Sequence, residues 1–370
     1  MLPAYDPQTE YSHWDSGLWT RVLATSGVRN PFTGGPYSEA MLAGLAGGIG
    51  FMIFTFEYKE TTTASVVTRF HPGPYTENLL RRSGAGVNIQ QTGSATLAQA
   101  RLDAALDSGV PAVVRLVRGK LPWAASDALA DMDSMDVAVV ARDGDGYLVD
   151  DGGGYLVDDG GGRLERIAPE ELAQARGARK ADKHWQAHVV QGSGGEPTGE
   201  ILTKAVLRQT IAETAHALLT QQAPPGIPPG YANNFGILGM EQWALRLRDT
   251  STKRGWTRIF GDPQRSQAGL AMLHGLLAGK RFSGPGALRP LHAQFLREVA
   301  MLGDGASGVG LPTALGQVGA QYKELGELWD ELAVLIGRDG EPDFTAMAAK
   351  VERIAGLEAA AALALQKSVD

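Results

Sequence analysis

The sequence predicts an α/β (α+β) first half followed by an all-α second half, and three observations carry that reading. Before residue 191 the chain alternates short β-branched runs with glycine-rich turns, and after it apolar residues recur at helical spacing almost throughout. Between the two lies Gln191-Gly192-Ser193-Gly194-Gly195-Glu196-Pro197-Thr198, a stretch with no apolar anchor. The expected organisation is a mixed domain over 1–190, a linker over 191–198 and a helical bundle over 199–370.

Each element has its own local reason. Trp14 to Ser26 reads as a helix through Leu18, Val22 and Leu23, and Ser38 as the N-cap of a helix through Met41, Leu42 and Leu45. Phe51 to Tyr58 is aromatic and Ile-rich and reads as a strand, with Thr61 to Phe70 its expected partner. Val110–Val117 and Val137–Ala141 are short, β-branched and bounded by turns, so they read as central strands. Pro169 to Arg176 is a short helix with acidic residues in its first turn, where the dipole favours them.

In the second half, Leu207, Ile211, Ala215 and Leu218 share one helical face. Tyr322, Leu325, Trp329 and Leu332 share another, and Phe344, Met347, Val351 and Ile354 a third, with Asp343 placed as a cap. Pro224-Pro225-Gly226-Ile227-Pro228-Pro229-Gly230 is a stiff break between helices. Counting periodic segments gives a bundle of roughly five to seven helices. One segment is literally repeated, Tyr147–Gly154 recurring unchanged as Tyr155–Gly162. A tandem duplication forming one extra hairpin explains it better than calcium held at its Asp pairs, since the period does not match the calcium-binding repeat.

Composition excludes several functions. With 44% hydrophobic residues in 370, a packed core is available. A formal charge of −7 argues against general nucleic-acid binding, although Arg115, Arg118 and Lys120 cluster in one short stretch. Zero Cys removes thiol nucleophiles, disulfides and thiolate metal sites together. The start lacks a basic region leading into an apolar one, and the Ala-rich run at 359–365 is too short to span a bilayer, so the expectation is a cytoplasmic chain with no membrane contact.

No cofactor and no metal are expected. His184 and His188 stand four apart in a segment ending Val189-Val190, whose strand character separates them too far to share one ion. His71 falls in a turn, while His216, His274 and His292 fall on helix patterns.

The most informative stretch is Tyr37–Phe51, reading SEAMLAGLAGGIGF from Ser38. Its glycines follow a helix and not a strand, so the dinucleotide-binding pattern does not apply, and positive-φ turns into the next strand explain them. This segment resembles the N-terminal domain of the butirosin biosynthesis protein H family. VPAVVRLV, DVAVVARDGDGYLVDD and IAPEELAQAR resemble that family's later elements in order. NNFGILGMEQWALRLRD, GWTRIF and LRPLHAQFLREVAMLG resemble the helical domain that commonly follows it.

The resemblance implies a papain-like (cysteine-peptidase-type) fold and acyl transfer from a carrier-protein thioester to an aminoglycoside amine. In that chemistry a Cys at a helix start attacks, a strand His is its base, and an acid orients the His. Here the Cys position falls on Trp14, within Ser12-His13-Trp14-Asp15-Ser16, and the His position on Asp136, with Met135 next. The acid falls on Asp150, or on Asp158 in the second repeat copy.

The candidate catalytic residues are therefore Asp136, His13, Ser16 and Asp150, and the candidate substrate-binding residues Trp14, Asp15 and Glu39. A helix start at Trp14 offers free N–H groups to an oxyanion, His13 or Asp136 a proton relay, and Trp14 a pocket floor. Against these stand plainer readings: Trp14 filling a dead pocket, Ser16 and Glu39 serving the helix ends, and Asp136 as a surface residue at a strand end. The expected function is a specialised-metabolite enzyme that acts non-covalently on an acyl or carrier-tethered intermediate, by transfer to an amine or by cyclisation. The alternatives are a carrier-binding pseudoenzyme and a small-molecule-binding protein. The partners this admits are a small-molecule substrate, an acyl carrier protein and a second copy of the chain.

Overall fold

The computed structural model describes residues 5–7, 10–58, 62–69, 75–124, 130, 134–151, 164–190, 201–302 and 314–369. The linker at 191–198, the second repeat copy with Asp158, and His71 lie outside the described residues. The elements run α1 (Trp14–Thr25), α2 (Glu39–Leu45), β1 (Ile49–Glu57), β2 (Thr62–Arg69), α3 (Tyr75–Arg82), β3 (Val87–Gln90), α4 (Ala95–Asp107) and β4 (Ala112–Val117). They continue β5 (Ser134–Asp143), β6 (Gly146–Asp150), β7 (Leu164–Ile167), α5 (Pro169–Gly177) and β8 (Gln186–Val189). The helices α6 (Lys204–Leu219), α7 (Gly236–Arg248), α8 (Trp256–Ile259), α9 (Pro263–Ala278), α10 (Arg289–Met301), α11 (Ala314–Ile336) and α12 (Phe344–Lys367) complete the described chain.

Contacts divide the protein into two units. One takes 1–11, 15–38 and 80–201; the other takes 12–14, 39–79 and 202–370. Residues 39–79, grouped with the mixed domain on sequence grounds, thus cluster with the helices that follow residue 201.

The first unit holds a six-stranded antiparallel sheet in the order β3-β8-β4-β5-β6-β7. The two strands expected to be central, β4 and β5, occupy its middle, with Val113, Val114, Val137 and Val139 fully buried. Register fixes which side chains share a face: Arg115 stands opposite Asp136, and Ala138 opposite Asp150. Because strand side chains alternate, Asp136 and Asp150 project from the same face of neighbouring strands. On α4, which Ser94 caps by accepting from the Leu97 N–H, Asp103 accepts the Tyr147 hydroxyl at 2.9 Å. On α5, Arg176 reaches Gln186 of β8 at 3.0 Å.

The second unit packs the β1–β2 hairpin among helices. Beyond α2 the chain turns through Gly47 (φ 120°) and Gly48 (φ 68°), where a Cβ on Gly48 would sit 2.6 Å from the His292 ring. Only glycine fits there. Thr214 of α6 donates to the Gly47 carbonyl at 2.7 Å and pins this turn. A bulge between Ile49 and Met52 interrupts β1, and the Gly50 carbonyl at the bulge accepts from Arg289 at 3.1 Å.

Arg289 is fully buried and also donates to Glu358 (2.5 Å), the Thr68 carbonyl (2.6 Å) and the Ala287 carbonyl (2.7 Å), joining hairpin, α10 and α12. The helical faces read from periodicity are buried as expected on α6 and α11, and on α12 apart from the half-buried Phe344. Asp343 caps α12 by accepting from the Ala346 N–H at 2.8 Å. Among the described residues no helix is long and apolar enough to cross a membrane, and no group of His, Asp or Glu side chains is arranged to hold a metal.

Candidate functional site

The sequence candidates fall into both units. In the second lie His13, Trp14 and Glu39. Glu39, the first residue of α2, accepts the backbone N–H groups of Ser12 (2.9 and 3.0 Å) and His13 (2.7 Å), so its carboxylate ties down the segment leading into α1. Trp14 begins α1 as expected, and its own N–H donates to the Lys280 carbonyl at 2.9 Å. The N–H groups of residues 12, 13 and 14 are therefore committed within the protein and are not donors for an oxyanion.

Trp14 is 5% exposed and His13 fully buried. The His13 imidazole meets the Tyr75 hydroxyl at 3.3 Å, with the two rings edge to face at 5.3 Å. The Arg69 guanidinium stands 3.5 Å from its other nitrogen and 4.9 Å over the Tyr75 ring. A buried imidazole beside a phenol and a guanidinium is oriented on both sides, the arrangement a proton relay or a ligand-reading donor needs.

In the first unit lie Asp15, Ser16, Asp136 and Asp150. Asp15 is half-buried on the first turn of α1. Ser16 is fully buried, and its carbonyl accepts the Thr20 hydroxyl at 2.8 Å. Asp150, fully buried, is gripped by Arg21 from the same helix and accepts the Tyr5 hydroxyl at 2.6 Å. Burial and then Asp150 push the Tyr5 phenol well above its ordinary range. Burial alone would lower Arg21, but Asp150 beside it outweighs that and raises it.

Asp136 accepts a two-pronged grip from Arg115, Nε at 2.7 Å and Nη2 at 3.0 Å. The same guanidinium reaches Asp182 at 3.2 Å and lies 4.4 Å over the Trp185 ring. Asp182 is also bound by Arg179 at 2.6 Å; burial opposes its ionisation, yet Arg179 and Arg115 together hold its carboxyl below the usual range. Arg115 is in consequence a clamped strand residue, and Arg118 is 4% exposed. The basic stretch at 115–120 does not form an open cationic patch.

Arg21, Tyr5 and the Arg115–Asp182 arm were not singled out from sequence as parts of the site. A signal existed for Arg115: a lone charge inside the apolar run Ala112–Val117 demands a buried partner. None pointed to Arg21 or Tyr5, which sit 129 and 145 residues from Asp150 along the chain.

Residues 13–152 match the family model described as butirosin biosynthesis protein H, N-terminal. Among curated proteins none matches the chain.

Proposed function

Over residues 13–152 the chain carries the N-terminal region of the butirosin biosynthesis protein H family, and from that premise we propose that it serves natural-product biosynthesis by holding an acyl or carrier-tethered intermediate without covalent attachment. In this reading it is a binding member of the family and not a thiol acyltransferase. The observation that carries it is the grip of Arg115 on both oxygens of Asp136. At the strand position where the resemblance puts the imidazole, a general base must turn a lone pair toward the proton it takes. Asp136 turns its carboxylate toward a guanidinium on the neighbouring strand instead.

The other positions support the same reading. The chain has no Cys, Trp14 stands where the resemblance puts the nucleophile, and Ser16 is buried. A papain-like arrangement is part of the proposal. An antiparallel sheet carries Asp136 and Asp150 on one face, and Arg21 of α1 reaches that face. A cavity of about 330 Å³ lined by Ser12, Arg297 and Lys323 offers cationic partners to an anionic arm on an intermediate.

The test is intact-mass analysis with an acyl-loaded carrier protein and candidate amines, together with a binding measurement on the same carrier. Binding with neither product nor acylated protein is the expected outcome. Acylated protein would overturn the proposal. One observation favours a second reading, non-covalent catalysis: the His13 imidazole is oriented by Tyr75 and Arg69. Turnover that survives Asp136→Asn and is lost with His13→Asn would install it.

A further inference from the structure

The second unit contains a cavity of about 590 Å³ between α6 and the bulged end of β1. That size lies within the range of small-molecule sites. Its buried wall is aromatic: Phe51 at 4% exposure and Phe235 at 5%. Met52 lies beside them and is bridged to Phe235 in antiparallel fashion. Pro224 and Pro225 close one side with backbone that has little freedom to collapse inward.

The wall is also rigid. Phe51 stacks on Trp243 at 6.0 Å and leans on Trp329 at 6.0 Å, while Phe235 meets Phe54 edge to face at 5.8 Å. The bulge in β1 falls at this point, between Ile49 and Met52. A preformed apolar wall costs a ligand little ordering entropy.

The polar groups are unevenly distributed. Arg69, at the end of β2, is the one Lys or Arg among the described lining residues. Its guanidinium is steered by the Tyr75 ring and by His13. Glu213 and His216 lie on α6, where His216 is exposed and Glu213 accepts Gln209 at 2.9 Å. The cavity thus offers an apolar body one oriented guanidinium and an open, polar side along α6.

We propose that this cavity binds a small amphipathic carboxylate, its apolar body against Phe51, Met52 and Phe235 and its carboxylate on Arg69. A guanidinium held by an aromatic face is suited to a carboxylate fork. The proposal stands on the geometry of this cavity and is independent of how the chain handles a carrier-tethered intermediate. Through Arg69, an occupied cavity would touch His13, which gives the family segment a means of sensing the ligand.

Calorimetric titration of the full chain with phenylbutyrate tests it, with phenylbutyramide as the isosteric control and phenylbutylamine as the control of opposite charge. Phenylbutyrate is expected to bind one to one and about tenfold or more tighter than either control, the effect of a charge-assisted hydrogen bond. Arg69→Gln should remove that preference, bringing the acid's affinity down to the level of the amide's. Ala212→Trp, at an exposed lining position of α6, should block all three. Because Arg69 also supports His13, Ala212→Trp and the comparison of acid with amide decide the matter if Arg69→Gln does not fold. Equal binding of acid and amide, binding indifferent to Ala212→Trp, or no binding of the acid would overturn the proposal.

Discussion

Replacing Asp150 by Asn separates a structural acid from a catalytic one. Asp150 is fully buried, its partner Arg21 has a side chain 4% exposed, and the Tyr5 hydroxyl supplies a second bond at 2.6 Å. Removing the negative charge takes from the buried guanidinium the carboxylate that grips it, at a cost of about 3–5 kcal/mol. The Asn carbonyl still accepts from Tyr5, which places the expected loss near the lower end. Against a typical domain stability of about 5–15 kcal/mol, that is a large fraction.

The exposed pair Arg248–Glu352, with side chains 44% and 46% accessible, is the control, and Glu352→Gln should change stability by about 0–1 kcal/mol. Urea unfolding followed by circular dichroism reads both variants. With a urea slope of about 1–3 kcal/mol per molar, Asp150→Asn should lower the midpoint by roughly 1–3 M. A variant within about 0.5 kcal/mol of the parent would refute the reasoning, because the buried charge would then be compensated elsewhere.

Three further outcomes are expected. Glu358→Gln should destabilise by about 3–5 kcal/mol, since Arg289 is fully buried, and the double change Arg289→Met with Glu358→Met should recover part of that loss; strict additivity in a double-mutant cycle would count against the pair. Trp14→Cys should acquire no acyl group from a thioester faster than glutathione does, because residue 14 is buried and the N–H groups of residues 12 to 14 are already bound to Glu39 and Lys280; rapid mass gain would refute this. Burial and then Arg289 lower the His292 imidazole from 6.5 to about 3, so the unfolded chain binds a proton there that the folded chain refuses. Its contribution is fully present above pH 6.5 and is lost at about 1.4 kcal/mol per pH unit as pH falls toward 3. The unfolding midpoint of His292→Leu should fall less steeply than the parent's between pH 6.5 and 4, and parallel profiles would contradict it.

What the sequence made legible followed the strength of local signals. The helices with wide apolar faces, α6, α11 and α12, were readable because Leu, Ile, Trp and Val repeat at a helical period. Strands β4 and β5 were readable from β-branched runs between turns. Helix α4 was not, because its buried face is Ala98, Leu102 and Ala105, and two alanines carry little periodic contrast. Strands β3 and β7 span four residues each, two of those in β7 charged, too short to show alternation.

The grouping of 39–79 with the helices was hidden for a different reason. It rests on long-range ties such as Arg289 to the Gly50 and Thr68 carbonyls, 239 and 221 residues apart in sequence, and no local pattern encodes such ties. Glu39 shows the same limit within the site. Its position behind Ser38 reads as helix-end stabilisation, whereas its carboxylate serves the backbone of Ser12 and His13.

Charge balance accounts for the partners that surround Asp136 and Asp150. A buried carboxylate that orients a catalytic imidazole is tolerated because the imidazole carries the compensating N–H and, during reaction, the proton. Without a histidine, an Asp at position 150 would be a buried anion with no counter-group, a state costing several kcal/mol. The chain supplies Arg21 and Tyr5 to that carboxylate, and Arg115 to the carboxylate at position 136. An arginine stays protonated at any physiological pH and cannot shuttle a proton. Each of the two carboxylates is thus matched by a guanidinium within the first unit, and burial of the pairs makes that match a condition of folding.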